Sequence, residues 1–456
     1  MTCENIAYKM VFPEREIKYM IERGTTMKRT ARLTSILLSI LLVATLLLSA
    51  MPAMGEETIT LRMVESLTSP ARTDLLRGQL DQFEAANPGI KVELISPPLS
   101  DADNKIAQML MNQQPLDVLE VRDHTAAQFV NNKWVFAMDE YVDAWDEYDG
   151  LKDTAKMDIN AIGGADYLIP YGFYQRCLYY NVNKFEEAGI AVPTTFGEMY
   201  EAAKALTDPS TNSYGYSFRG AAGGHWYAEM HIQAKLGDKV SDECSFYTTQ
   251  GDTIFSQPEA VEAMNEYIAL YNDGAAPDAL NWSYAEMVEA FVSGVTAMLI
   301  QDPEVIATCE DRMEPGTWAT TMLPVGDETG ISFGPMGYSG WGITAYSEHK
   351  DEAWKLITFL CGVEANTEFC KANSLLPIHK SAAEDPYFSS EAYQCYLTMG
   401  NDVETWACAV APLGYAGWGE FNNFADSDLQ KMLSGSMTPE DLLAKWDAFW
   451  LEQKTV

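Results

Sequence analysis

Histidine is scarce and positive charge is in short supply. The 456 residues hold five His, and 30 Lys/Arg stand against 66 Asp/Glu, a formal net charge of −36. A field of that sign repels nucleic acid and anionic membrane surfaces and favours solubility. The eight cysteines (Cys3, Cys177, Cys244, Cys309, Cys361, Cys370, Cys395 and Cys408) form no CxxC pair and no metal-ligand spacing, so neither a structural zinc nor a redox motif is indicated. There is no HExxH and no Ser/His/Asp arrangement, and paired carboxylates in so acidic a chain discriminate nothing. The glycine-rich Phe218-Arg-Gly-Ala-Ala-Gly-Gly-His-Trp-Tyr227 lacks the lysine and following Ser/Thr of a phosphate loop. Gly337-Tyr-Ser-Gly-Trp-Gly342 carries Trp341 where a nucleophile elbow needs glycine. No catalytic residue, metal ligand or cofactor is assigned.

Long apolar runs are also missing, with one short exception. Ile36 to Ala50 is almost wholly apolar and follows Lys28, Arg29 and Arg32, with small residues at Ala53 and Gly55. About 15 residues fall short of the roughly 20 a membrane span needs, which favours a cleaved export signal over an anchor. Residues 27–55 are read as that signal and 1–26 as a non-native extension ahead of Met27. No cysteine follows the run, so there is no site for a lipid anchor. Removing 1–55, with seven Lys/Arg and four Asp/Glu, leaves 23 basic against 62 acidic residues. The remaining length suits two lobes of ordinary domain size. Cys361 with Cys370 and Cys395 with Cys408 are the nearest pairs for disulfides in an oxidising compartment; scattered buried thiols are the other reading.

What is present is an alternation of strands and helices. Thr58–Val64 alternates like a strand, a helix follows to Ala86 with Leu75, Leu76, Leu80 and Phe83 on one side, and Asn87-Pro-Gly89 breaks it. Ile90–Ile95, a helix over 101–113 and the apolar Leu116–Val121 complete a strand-helix-strand-helix-strand pattern, that of an α/β layer with a largely parallel sheet. No internal repeat or low-complexity linker interrupts the chain. Further on, Ile169-Pro-Tyr-Gly-Phe-Tyr-Gln-Arg-Cys-Leu-Tyr-Tyr-Asn181 is an aromatic-rich strand. A brief helix after it stops at Gly189, and Thr195 with Glu198 reads as a capping box opening the next helix.

This order resembles the bacterial extracytoplasmic solute-binding proteins of the sugar-binding, maltodextrin-binding-like family. Phe83-Glu-Ala-Ala-Asn-Pro-Gly-Ile-Lys-Val92, Pro115-Leu-Asp-Val118, Met287-Val-Glu-Ala-Phe-Val-Ser-Gly294, Leu323-Pro-Val325 and Leu375-Leu-Pro377 continue the likeness over about 58 to 450. The resemblance implies a two-lobed α/β periplasmic-binding-protein fold of type II, with the ligand cleft between lobes and three hinge crossings. The lobes are placed at 57–172 with 325–376, and at 173–324 with 377–456. It further implies a monomeric, periplasmic substrate-binding protein that captures a carbohydrate or polyol and delivers it to the membrane subunits of an ABC importer, with no nucleic-acid partner and no catalysis. A receptor feeding a sensor or chemotaxis system, and a secreted carbohydrate-active enzyme, are the alternatives.

A sugar offers apolar C–H faces and a rim of hydroxyls, so its site needs aromatic faces beside paired donors and acceptors in loops at strand ends. Glu65 and Arg72 follow the first strand, and Arg122 and Asp123 follow the third, where the family places polar contacts. Along the crossing strand, Tyr174 and Arg176 share the face opposite Tyr171, Phe173 and Gln175. Arg176 sits in an aromatic run where an unpaired charge is expensive, so it meets either the ligand or a carboxylate across the hinge. Arg219 and Trp226 flank the glycine-rich loop, Trp282 stands in a polar loop, and Asp302 follows an apolar strand. From the resemblance, Gly340 and Trp341 offer backbone amides, and Trp418 offers an aromatic platform. Trp354, Trp446 and Trp450 lie at helical spacing among Leu and Phe and are read as core.

Overall fold

In the computed structural model, β1 (Ile59–Val64) lies parallel to β2 (Ile90–Ile95) and to β3 (Val118–Arg122). The model describes residues 58–159, 164–412, 415 and 417–454. The extension and export signal read at 1–55 lie outside the described residues. The helix Pro70–Ala86 joins the first two strands. The Ser69 side chain caps it, Pro70 occupies its first turn, and it buries Leu76, Leu80 and Phe83 against the sheet. The third strand lies antiparallel to the long strand β9 (Ser332–Ile343), whose other edge takes β4 (Ile169–Gln175). The first layer therefore runs β4-β9-β3-β1-β2, the apolar-strand pattern expected of a sheet covered by helices.

A second, four-stranded sheet follows the order β6-β7-β5-β8, with β5 (Cys177–Asn181), β6 (Tyr214–Tyr216), β7 (Thr296–Gln301) and β8 (Trp318–Thr321). All six residues of β7 are buried, so this strand forms the spine of the second layer. The turn chemistry read from sequence is in place. Gly189 closes its helix at φ 64°, and the Thr195 hydroxyl accepts from the Glu198 amide at 3.2 Å. The Glu198 carboxylate reaches back one residue further than a capping box requires, to the Thr194 amide and hydroxyl at 2.8 Å each.

The chain passes between the layers three times. It leaves the first sheet after Gln175 and enters the second at Cys177, so Arg176 is the crossing residue. It returns between β8 and β9. It crosses again after Leu376, whose backbone exchanges hydrogen bonds with Phe173 at 3.0 and 3.2 Å, and reaches Ala392, whose carbonyl accepts from Thr320 in β8 at 2.9 Å. The ninth strand is held along its length by different partners. Ser332–Pro335 pair with β10 (Trp406–Ala409), whereas Met336–Ile343 pair with β4 and β3. The tenth strand is in turn tied to the second layer: Val410 exchanges hydrogen bonds with Ser245 at 2.8 Å, and the Trp406 indole donates to the Leu323 carbonyl at 2.9 Å.

Cys177, Cys244, Cys309, Cys361, Cys370 and Cys395 are buried thiols, so neither disulfide considered from spacing is formed. The thiols of Cys361 and Cys370 are instead turned to the backbone carbonyls of Ile169 and Tyr171 in β4, at 3.9 and 3.2 Å. Trp446 and Trp450 are fully buried in the helix Pro439–Gln453, where they pack on Phe421 at 5.2 Å each. Among the described residues no helix is long and apolar enough to cross a membrane.

Candidate functional site

Four groups of polar side chains gather where the strands of the two layers end. The first is built on the loop after β1. Arg72 donates through Nη2 to Glu120 Oε1 (3.0 Å) and to the Tyr171 hydroxyl (2.8 Å), which itself bonds Glu120 Oε1. The other Glu120 oxygen accepts from the Ser66 and Leu67 amides at 2.6 and 3.1 Å. Glu65 lies 4.0 Å from the Arg72 Nε and accepts from Thr73 and Ser96 at 2.7 Å each; burial holds its carboxyl above the usual range. Arg72 also rests on the faces of Phe369 (4.8 Å) and Tyr171 (5.0 Å).

The second group stands at the carboxyl end of β3, in the first turn of the helix Asp123–Asn131. Arg122 and His124 both bond Asp103 Oδ2 at 3.0 Å, and the other ring nitrogen of His124 lies 3.0 Å from Asp123. Burial works to lower the His124 pKa, but its bonds to Asp103 and Asp123 outweigh that and leave it raised.

The crossing supplies the third. Tyr174 is half-buried, and burial pushes its hydroxyl pKa up. Arg176 is 3% exposed; its guanidinium lies over Tyr227 (4.2 Å) and Trp226 (5.6 Å).

The fourth belongs to the second layer. Arg219 folds back so that Nε donates to the Ala222 carbonyl at 2.6 Å and its charge sits 5.8 Å from the Trp226 ring. Gly223 permits this: it has φ +80°, and a Cβ there would lie 2.8 Å from Arg219 Nη2. The Trp226 indole donates to Asn422 at 3.3 Å, and the neighbouring His225 is held by Asp426 (2.7 Å) and Asn422 (2.9 Å). Asp302 follows β7. Burial raises its pKa, Arg176 and Arg219 oppose the shift, and Asp123 of the first layer adds to it. Burial and then repulsion from Asp302 push Glu304 up to about 7, against the pull of Arg72 and Arg219. Charges from both layers are thus within electrostatic reach across one space.

Of the residues read from sequence, Arg72, Arg122, Asp123, Tyr174, Arg176, Arg219, Trp226 and Asp302 belong to these four groups, with Glu65 beside Arg72. Four others lie apart. Trp282 lines a surface hollow with Asn212, Asp278 and Glu289. Gly340 and Trp341 are inside β9, opposite Val121 and Glu120 on one side and Pro170 and Ile169 on the other. A Cβ on Gly340 would lie 2.4 Å from the Ile169 carbonyl, so that glycine serves the close approach of two strands. Trp418 is 8% exposed and packs on Phe246 at 5.5 Å and Trp450 at 6.3 Å.

Glu120, Glu304, Asp103 and also Glu229, which lies 4.0 Å from His225, are groups that motif spacing did not flag. An acid in the middle of an apolar strand was the available signal for Glu120. For Glu229 it was the i,i+4 spacing from His225 on one helix. The raised Glu304 has a measurable consequence. Its protonated form is favoured in the fold, so its contribution to stability is complete below pH 4.5 and lost as pH rises through about 7. Glu304→Gln is expected to flatten that part of the stability–pH curve and raise the melting temperature above neutrality; an unchanged slope would place the carboxyl in open water.

A model of the bacterial extracellular solute-binding proteins matches residues 66–367. The chain belongs to that family. Among relatives of this solute-binding protein, one described as a binding protein from Brucella abortus is 22% identical over 86% of this chain and 93% of its own length. The mannitol-binding protein of Pseudomonas aeruginosa is 24% identical over 67% and 69%. The solved maltose-bound MalE3 of T. maritima superposes with a TM-score of 0.73 at 19% identity, covering 86% of this chain and all of that one. The fold is therefore the two-lobed one of periplasmic solute-binding proteins. In that fold the space between the layers is the cleft between lobes.

Proposed function

We propose that this solute-binding protein captures a sugar or polyol between its lobes and hands it to the membrane subunits of an ABC importer, acting outside the cytoplasm as a monomer and without a catalytic step of its own. The observation that carries the reading is the convergence of Arg176, Arg219, Trp226 and Asp302 with Arg72, Asp123 and Tyr174 across the cleft. This set offers an aromatic face, charged donors and carboxylate acceptors together. Closure removes water from such a cleft, so a ligand hydroxyl left unmatched becomes costly and specificity follows. The names of the relatives, which bind mannitol and maltose, point to the same ligand class.

A thermal-shift screen of the purified protein against neutral sugars, polyols and sugar acids tests this. Ligand at a hundred times its dissociation constant adds about 2.7 kcal/mol of stability. The expected result is a shift from one chemical class with no product formed on prolonged incubation. Turnover of an oligosaccharide, or no shift from a folded, ligand-free sample, would overturn it.

A further inference from the structure

Of the four arginines in these groups, two already have acids. Arg72 is bonded to Glu120 and Arg122 to Asp103, both at 3.0 Å. Arg176 and Arg219 differ: among the described residues no carboxylate oxygen lies within 4.0 Å of either guanidinium. Arg176 Nε is buried with no hydrogen-bond partner, and Nη1 donates only to the sulfur of Met230 at 3.2 Å, a weak acceptor. A guanidinium 3% exposed and served by one thioether is far from satisfied. Arg219 spends Nε on a backbone carbonyl, and its charge shares the indole of Trp226 with that of Arg176, at 5.8 and 5.6 Å.

The acids nearby stand off from both guanidinium groups. Burial holds Glu229 up to about 8 and Glu304 up to about 7, and raises Asp302 as well. A carboxyl held protonated near neutrality, as that of Glu229 is, donates or accepts a hydrogen bond but does not neutralise a cation. A phosphate monoester approaches a charge of about −2 at neutral pH. A single carboxylate matches the planar fork of arginine in two parallel bonds and brings one charge only.

We infer that the ligand carries its own anion: this cleft takes a carboxylated sugar or polyol, a uronate or aldonate, with its carboxylate at Arg176 and Arg219 beside Trp226 and its hydroxyls toward Asp302, Glu304 and Tyr174. The inference rests on the binding function proposed above and specifies its ligand class.

Calorimetric titration of the full chain decides it. Uronates and aldonates are compared with the matching neutral sugars and polyols, and sugar phosphates form a third arm. The acids are expected to bind about tenfold or more tightly than their neutral partners. Arg176→Gln and Arg219→Gln should each erase that preference, the acid losing about tenfold more affinity than its neutral partner. Arg219 is half-exposed, so its variant keeps the test decisive if the buried Arg176→Gln fails to fold. Equal or tighter binding of neutral ligands, or a preference for phosphates, would overturn the carboxylate assignment and leave the binding function standing. Silence from all three arms would overturn both.

Discussion

Glu120→Ala will destabilise the protein by about 3–5 kcal/mol, read as a fall in the urea midpoint at neutral pH. The residue is 1% exposed and accepts from Arg72, Tyr171 and the amides of Ser66 and Leu67. Truncation leaves the Arg72 charge with only the more distant Glu65, at 4.0 Å, in a place where Phe369 and Tyr171 exclude water, and leaves two backbone donors without an acceptor. Most of the loss therefore comes from what remains behind. Adding Arg72→Met to the variant should recover part of the stability, so the double variant falls less than the two single losses together. A midpoint within experimental error of the parent would show that the network holds nothing.

Phe421→Ala is expected to cost a similar amount, about 3–5 kcal/mol, for an unrelated reason. Phe421 is fully buried at the centre of an aromatic cluster, with the rings of Trp446 and Trp450 at 5.2 Å, Phe246 at 5.5 Å and Phe449 at 5.9 Å. Rings of that size cannot collapse into the space a lost phenyl leaves, so the cavity persists and its lining loses dispersion contacts. The exposed Leu397 is the control, since Leu397→Ala should change stability by no more than about 0.5 kcal/mol. Equal effects at the two positions would contradict the packing.

The strands and helices of the first layer were legible because each carries a local signal. The alternation of Ile59–Val64, the Pro70 start and the Asn87-Pro-Gly89 stop are all properties of short stretches. The placement of Arg72, Asp123, Arg176 and Asp302 at strand ends followed from the same reading. What failed to show was pairing over long range. Gly340-Trp341 reads as a loop, yet it is covered on both edges by β3 and β4, partners 170 to 221 residues away in sequence. Trp418 in a glycine-rich stretch resembles a stacking platform, yet it packs against Trp450 of the helix Pro439–Gln453. Which arginines would find an acid was equally invisible, because Glu120 and Asp103 reach theirs only through the folded sheet.

The division of β9 between two sets of partners gives the molecule a mechanical character. One end of the strand is clamped through β10 to the second layer, the other between β4 and β3, and no slack loop separates the clamps. Any swing of one lobe against the other must therefore wind up a hydrogen-bonded ribbon near Pro335 and Gly337. A ribbon loaded in torsion returns the torque it is given. The two layers are thus joined here by paired strand and not by slack chain.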